Sequence, residues 1–204
     1  MHKLFTKIVA PIRNAAVIFA EIPSTDLIVG KHIKYIEDRT IDLNTVNTQG
    51  GIVTKNLVVS IDPYMRGRMR APEMKSYSPP FDLNQPLTNF IVGKIVKSDN
   101  NEYKLGQLVY GYGGYEEYTV HSKNQTESLR VLTDEQLKLG LPLTTWVGAA
   151  GMPGQTAFYG LYHIGKPKKD ETIFITGASG AVGQIVGQLG MLKFSENIFF
   201  FFSV

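Results

Sequence analysis

TIFITGASGAVGQIVGQLGMLK, residues 172–193, joins three readings in one short stretch. Ile173, Phe174 and Ile175 form an apolar run, as in a parallel strand covered on both faces. A glycine-rich turn follows. Val182, Ile185, Val186 and Leu189 then recur at i, i+3, i+4 and i+7, the spacing of one helix face. Gly187 and Gly190 each cost such a helix about 1 kcal/mol against alanine, which makes sense if the helix presses hard on a sheet. Strand, glycine turn and helix in this order open a nucleotide-binding α/β domain. The turn reads as A-x-G-x-x-G, with Ala178 at the first glycine position. Gly180 lets the backbone approach a pyrophosphate, and Gly183 lets the helix pack close to its strand. A phosphate would sit on the free N–H groups of the helix start. Ala178, Ser179, Gly180, Ala181, Val182 and Gly183 are therefore the candidate cradle. A tight strand–helix turn without a ligand gives the same spacing; the strand before it and the helix after it favour the site. The acidic residue that would hold a ribose hydroxyl ~20 residues on has no clear candidate, because IFFFFSV occupies that place. The residues alone leave NAD against NADP open.

Upstream the chain changes character. Residues 15–130 are β-rich: NLVVSID, FIVGKIVKS, GQLVYGY and YEEYTVH are short β-branched or aromatic runs punctuated by Pro, Gly, Asn and Asp. Such spacing predicts a small barrel or sandwich. From Thr133, TDEQLKLGLPL has a capping threonine and an acidic first turn, and predicts a short helix. GMPGQTAFYGLYHIG predicts a helix from Gln155 that buries Ala157, Phe158 and Leu161.

Composition narrows the chemistry. The chain has 204 residues, 43% hydrophobic and 19% charged, which is a globular balance. A net charge of +3 with scattered Lys and Arg does not favour nucleic-acid binding. No cysteine is present, so disulfides, thiol nucleophiles and thiolate zinc sites are excluded. His2, His32, His121 and His163 lack metal-ligand spacing, and each is expected to be a surface or satisfied histidine. No apolar run approaches the ~20 residues of a membrane span. The first residues carry Lys3, Lys7 and Arg13 without an acid. A mitochondrial presequence is the lesser alternative to a cytoplasmic location.

SIDPYMRGRM, GMPGQTAFYGL and ITGASGAVGQIVGQLGMLK together resemble the medium-chain dehydrogenase/reductase superfamily. They are similar, more narrowly, to its zinc-free branch of NADPH-dependent alkenal double-bond reductases, which includes prostaglandin reductase and leukotriene hydroxydehydrogenase. The resemblance runs from about Ala15 to Lys193. It implies a β-rich GroES-like barrel domain over 15–132, behind an N-terminal extension of 1–14. Linker helices and the first βα unit of an incomplete α/β Rossmann domain would follow over 133–204. It implies hydride transfer from NADPH to the β-carbon of an enal or enone, then protonation at the α-carbon. The physical need is to stabilise an enolate-like oxygen and keep water out.

The resemblance also suggests roles. Tyr64 lies where the branch lines its substrate cleft, and a phenol there can meet a carbonyl oxygen; a barrel-edge tyrosine is the plain alternative. Met152 and Thr156 fall beside the nicotinamide, with Thr156 positioned to bond the carboxamide. Without the resemblance, Met152 is core filler and Thr156 a helix-start cap. Asp62-Pro63 reads as a turn, and Arg66 as the anchor of that loop through a salt bridge. Tyr115 and Tyr118 read as core or hairpin aromatics. No metal is expected.

After Lys193 the chain departs from the branch. A doubly wound fold needs about six strands, and no second parallel strand follows unless IFFFFSV supplies it. The tail is expected to be foreign to the branch, with the adenosine pocket and the homodimer edge missing. The 204-residue chain itself is then expected to bind NADPH weakly and turn over little. A non-catalytic GroES-like binding module and a zinc-free quinone oxidoreductase are the alternatives. No nucleic acid or membrane partner is expected, only a small-molecule enal or enone.

Overall fold

The structure is a computed structural model, and it describes residues 11–194 and 198–201. The chain divides between Leu139 and Gly140 into two compact units.

The first unit is built on short strands. β1 (Ile12–Arg13) pairs with β4 (Thr40–Ile41), and β2 (Ala16–Phe19) with β3 (Ile33–Ile36), both antiparallel. The larger sheet holds β5 (Ile52–Val59), β6 (Thr88–Ser98), β7 (Leu108–Gly114), β8 (Tyr118–His121) and β9 (Arg130–Val131). Its order among the described residues is β8-β5-β6-β7-β9, antiparallel throughout. The four runs predicted as strands are β5 to β8, while the shorter pairs carried no pattern long enough to read. Between β5 and β6 lies α1 (Met65–Arg68), a single helical turn. After β8 comes α2 (Lys123–Thr126), boxed at its start by Ser122 and Gln125.

Two apolar clusters hold this unit. Phe19, Met65, Met69, Phe81 and Leu87 form one, under α1, with Tyr115 packed against it. Ile52, Ile95, Val109 and Leu129 form the other, at the far end of the sheet. α3 (Asp134–Lys138) follows, and its Thr133 cap is as predicted: the Thr133 hydroxyl accepts from the Gln136 N–H, and Gln136 reaches back to the Thr133 N–H at 2.8 Å.

The second unit contains α4 (Thr144–Val147), α5 (Met152–Phe158), a wide π-helical turn (Tyr159–Gly165), β10 (Ile173–Thr176), α6 (Ala181–Lys193) and β11 (Ile198–Phe201). β10 and β11 pair in parallel from Ile173↔Ile198 to Thr176↔Phe201. The apolar tail thus supplies the second strand. Residues 195–197 and 202–204 of that tail lie outside the described residues. The inner face of α6 is made by its glycines. Gly183, Gly187 and Gly190 are buried, while Val182, Ile185, Val186 and Leu189 flank them at intermediate exposure. A Cβ on Gly190 would stand 2.8 Å from Ile198 Cδ1 and 3.3 Å from Ile173 Cδ1. The helix presses on both strands, which is the condition under which its glycines made sense.

α5 departs from expectation at both ends. It begins at Met152, with Pro153 in its first turn, rather than at Gln155. Ala157 and Leu161 are buried as predicted, but Phe158 is 44% exposed. The inward face of α5 is Pro153, Gly154 and Ala157. Small residues let α5 lie against α6 and leave no room for a ring. Phe158 instead stacks outside on Tyr162, centroids 4.7 Å apart.

Candidate functional site

The sequence-predicted residues fall on both units. Tyr64 belongs to the first; Met152, Thr156 and Ala178–Gly183 belong to the second.

Tyr64 precedes α1, at the end of the loop that leaves β5. Asp62-Pro63 does turn the chain: the Met65 N–H donates to Asp62 O at 3.0 Å and the Arg66 N–H to Pro63 O at 3.1 Å. Asp62 is more than a turn residue, however. It is buried, and its Oδ2 accepts from Ser60 Oγ at 2.8 Å and from Asn89 Nδ2 at 2.6 Å. Asn89, from β6, is fully buried. Its Nδ2 also donates to Ser60 O at 3.1 Å. Met65 Sδ lies 3.3 Å from it as well, and all three neighbours of that nitrogen act as acceptors, so the amide orientation is fixed and Oδ1 faces Tyr64. The Tyr64 hydroxyl donates to Asn89 Oδ1. It also lies 3.0 Å from the Tyr112 hydroxyl of β7. Tyr115 donates its hydroxyl proton to Ser60 O from the other side. Burial pushes the Tyr64 phenol well above its ordinary range. Burial raises Tyr115 to about 12. Both phenols are therefore neutral donors at physiological pH.

The cationic residues of α1 divide differently from expectation. Arg66 makes no salt bridge among the described residues; its Nη2 donates to the Thr25 carbonyl at 2.5 Å. Loop carbonyls rather than carboxylates lie within its reach. Arg68 is the buried one. It donates to Pro79 O at 3.0 Å and Thr88 O at 2.7 Å, and its guanidinium lies 4.0 Å from the Phe81 ring centroid.

Tyr112 also borders a cavity of about 410 Å³, shared with Arg68, Thr88, Glu116, Thr119 and His121. Glu116 pairs with Arg39 at 3.2 Å, yet burial raises its carboxyl above the usual range. His121 is buried, with Nε2 3.0 Å from Thr54 Oγ1, and burial lowers its pKa to about 4. His32 accepts from the Ile28 N–H at 2.9 Å through Nδ1. Among the described residues no three His, Asp or Glu side chains come together as a metal site. Tyr115 packs on the first cluster as expected, and Tyr118 lies under the Lys55 ammonium, 6.0 Å from ring centroid to Nζ.

In the second unit the glycine turn joins β10 to α6. Gly180 is the N-cap of α6, and no side chain caps the first turn. The first N–H groups of a 13-residue helix are thus left for a ligand or water. A Cβ on Gly183 would lie 2.5 Å from Gly177 O and 2.8 Å from Ala178 Cα, so only glycine lets the helix meet the loop. This uncapped turn of small residues fits a pyrophosphate. GMPG is explained by the same kind of closeness: a Cβ on Gly154 would lie 1.7 Å from Ala149 O. Thr156 is not a helix cap. It sits inside α5 and donates its hydroxyl proton to Met152 O at 2.9 Å, leaving its oxygen lone pairs exposed. Met152 Sδ lies 3.5 Å from that oxygen.

Residues 37–129 match the family described as the N-terminal domain of oxidoreductase. These residues are an oxidoreductase N-terminal domain. The chain is similar to a zinc-type alcohol dehydrogenase-like protein of Schizosaccharomyces pombe, 44% identical over 180 residues, covering 86% of this chain and 50% of that protein. It is 41% identical over 157 residues to the NADP-dependent 2-alkenal reductase of Nicotiana tabacum, covering 77% of this chain and 44% of that one. Among solved structures, CurA from Vibrio vulnificus in complex with NADPH superposes with a TM-score of 0.76 at 28% identity, over 91% of this chain and 51% of that one. The chain spans about half the length of these relatives. After the residues of its oxidoreductase N-terminal domain the chain carries the β10–α6–β11 unit, with its two strands parallel, and the match to CurA extends over 91% of this chain. Among the described residues no helix is long and apolar enough to cross a membrane.

Asn89 and Tyr112 were not found from sequence. Asn89 carried a signal: an amide inside the β-branched run TNFIVG goes against strand preference, so it needs a buried partner. Tyr112 carried none, being one of several strand aromatics.

Proposed function

We propose that the protein reduces carbon–carbon double bonds conjugated to an aldehyde or ketone, with NADPH as the reductant. The observation that carries this is the uncapped, close-packed turn Gly177–Gly183 at the head of α6. The similarity to an NADP-dependent 2-alkenal reductase gives the reading its substrate class.

When bound, NADPH supplies the hydride that attacks the β-carbon. The chain's own residues do the rest. The backbone N–H groups following Ala178 and Ser179, through Gly180, Ala181, Val182 and Gly183, hold the pyrophosphate by charge-assisted hydrogen bonds. Thr156 has given its proton to Met152 O, so its oxygen accepts from the carboxamide N–H₂ and fixes which ring face is offered. Met152 gives an apolar surface beside the ring. Hydride arriving at the β-carbon would leave an enolate whose oxygen a neutral phenol hydroxyl of the Tyr64 cluster stabilises, and a proton taken from water at the α-carbon completes the saturated product. The substrate is a small enal or enone.

The test is product analysis with NADPH deuterated at the transferable position and 4-phenyl-3-buten-2-one. The expected product is the saturated ketone, labelled at the β-carbon. Labelled alcohol with the alkene intact, or turnover confined to an added quinone, contradicts the proposal.

A further inference from the structure

We infer that Tyr112, and not Tyr64, is the hydroxyl that meets the substrate carbonyl, with Tyr64 a positioning residue behind it. The inference rests on the enal or enone reading above and names which residue of that site touches the ligand.

The protons of the cluster are fully assigned. Asp62 accepts two hydrogen bonds, from Ser60 Oγ and Asn89 Nδ2. Asn89 Nδ2 has only acceptors around it, Ser60 O among them, so Asn89 Oδ1 must receive. The Tyr64 hydroxyl faces it and has one proton, which goes to Asn89 Oδ1. Tyr64 therefore has none left to give. In the 3.0 Å contact between the two phenols, Tyr112 must be the donor. Every hydrogen bond in the row points inward, and the row ends on the Tyr112 oxygen.

Exposure and surroundings agree. Tyr112 is 39% exposed, whereas Asn89 is fully buried. Tyr112 borders the 410 Å³ cavity and Tyr64 does not. A carbonyl oxygen arriving from that side takes the Tyr112 proton by rotation of a single C–O bond. Tyr64 then loses only one accepted hydrogen bond, and Asn89 keeps its donor. Turning the Tyr64 proton outward would instead strip a buried amide oxygen of its partner, the costlier change. The Phe90 ring, 4.6 Å away across the β6–β7 pair, holds the Tyr112 ring in place.

The experiment uses the full chain with tyrosines carrying ¹³C at the ring carbon that bears oxygen. The probe is 4-phenyl-3-buten-2-one, without NADPH, and each ring signal is assigned by its Tyr→Phe variant. The expected result is a saturable shift of the Tyr112 signal and a smaller one at Tyr64. Tyr112→Phe should weaken probe binding about tenfold, the loss of one hydrogen bond to a desolvated carbonyl. Tyr64→Phe should leave the Tyr112 shift in place. A shift confined to Tyr64, surviving in Tyr112→Phe with unchanged affinity, overturns this inference and leaves the reductase reading standing. No shift at either ring, from protein with native dispersion of its other signals, overturns both.

Discussion

At Asn89 the strand carries an amide where an apolar side chain would pack without cost. Its value lies in what it satisfies: the Asp62 carboxylate, the Ser60 carbonyl and the Tyr64 hydroxyl. Asn89→Ala leaves these buried groups short of partners, and we expect about 2–4 kcal/mol of lost stability by urea unfolding. An effect below about 0.5 kcal/mol would mean that the cluster does not hold the loop. His121 gives a second prediction. Its folded pKa of about 4 is depressed from 6.5, so the unfolded chain binds more protons between those values. Stability from the neutral imidazole is complete above pH ~6.5 and falls away as pH drops toward ~4, by about 3 kcal/mol in all. Glu116, raised above its ordinary value, works in the opposite direction on acidification. Comparing the chain with His121→Gln isolates the histidine, and the variant should lose less stability between pH 7 and pH 4. Parallel losses in the two proteins would contradict a neutral buried His121.

Among the elements, α6 states most clearly what sequence could and could not give. Its strand–turn–helix context was legible because apolar run, glycine turn and 3.6-residue period stand next to one another. The parallel pairing of β11 was less so, since a run of phenylalanines has no periodicity to fix its role. The first residues of α5 were hidden by Pro153, which reads as a break but is well tolerated in a first helical turn. The Tyr64 cluster could not be read at all as a cluster. Its members are scattered from residue 60 to residue 115 and meet only because β6 lies between β5 and β7. The glycine face of α6 carries its own prediction. A Cβ at Gly190 meets only the flexible ends of Ile173 and Ile198, so Gly190→Ala should change stability by less than about 1 kcal/mol. Gly190→Leu drives a branched side chain between helix and sheet and should cost about 2–3 kcal/mol, read from the melting of this unit. Equal behaviour of the two variants would contradict the close seat of α6.

The whole molecule is two units with separate cores. The first holds both of its apolar clusters and its buried polar cluster within residues before Gly140. A chain ending at Leu139 should therefore keep a cooperative unfolding transition and the Tyr64–Tyr112 contact; a broad, uncooperative melt would contradict the division. The second unit carries the glycine turn proposed to hold the pyrophosphate, and the reductase proposal stands or falls on it. The decisive experiment is a titration of the 204-residue chain with NADPH, followed by nicotinamide fluorescence, beside the Gly180→Asp variant. A carboxylate at the head of α6 opposes a phosphate by charge and by bulk. The expected result is weak but saturable binding that Gly180→Asp weakens at least tenfold further. No saturation from folded protein, or saturation indifferent to Gly180→Asp, would contradict it.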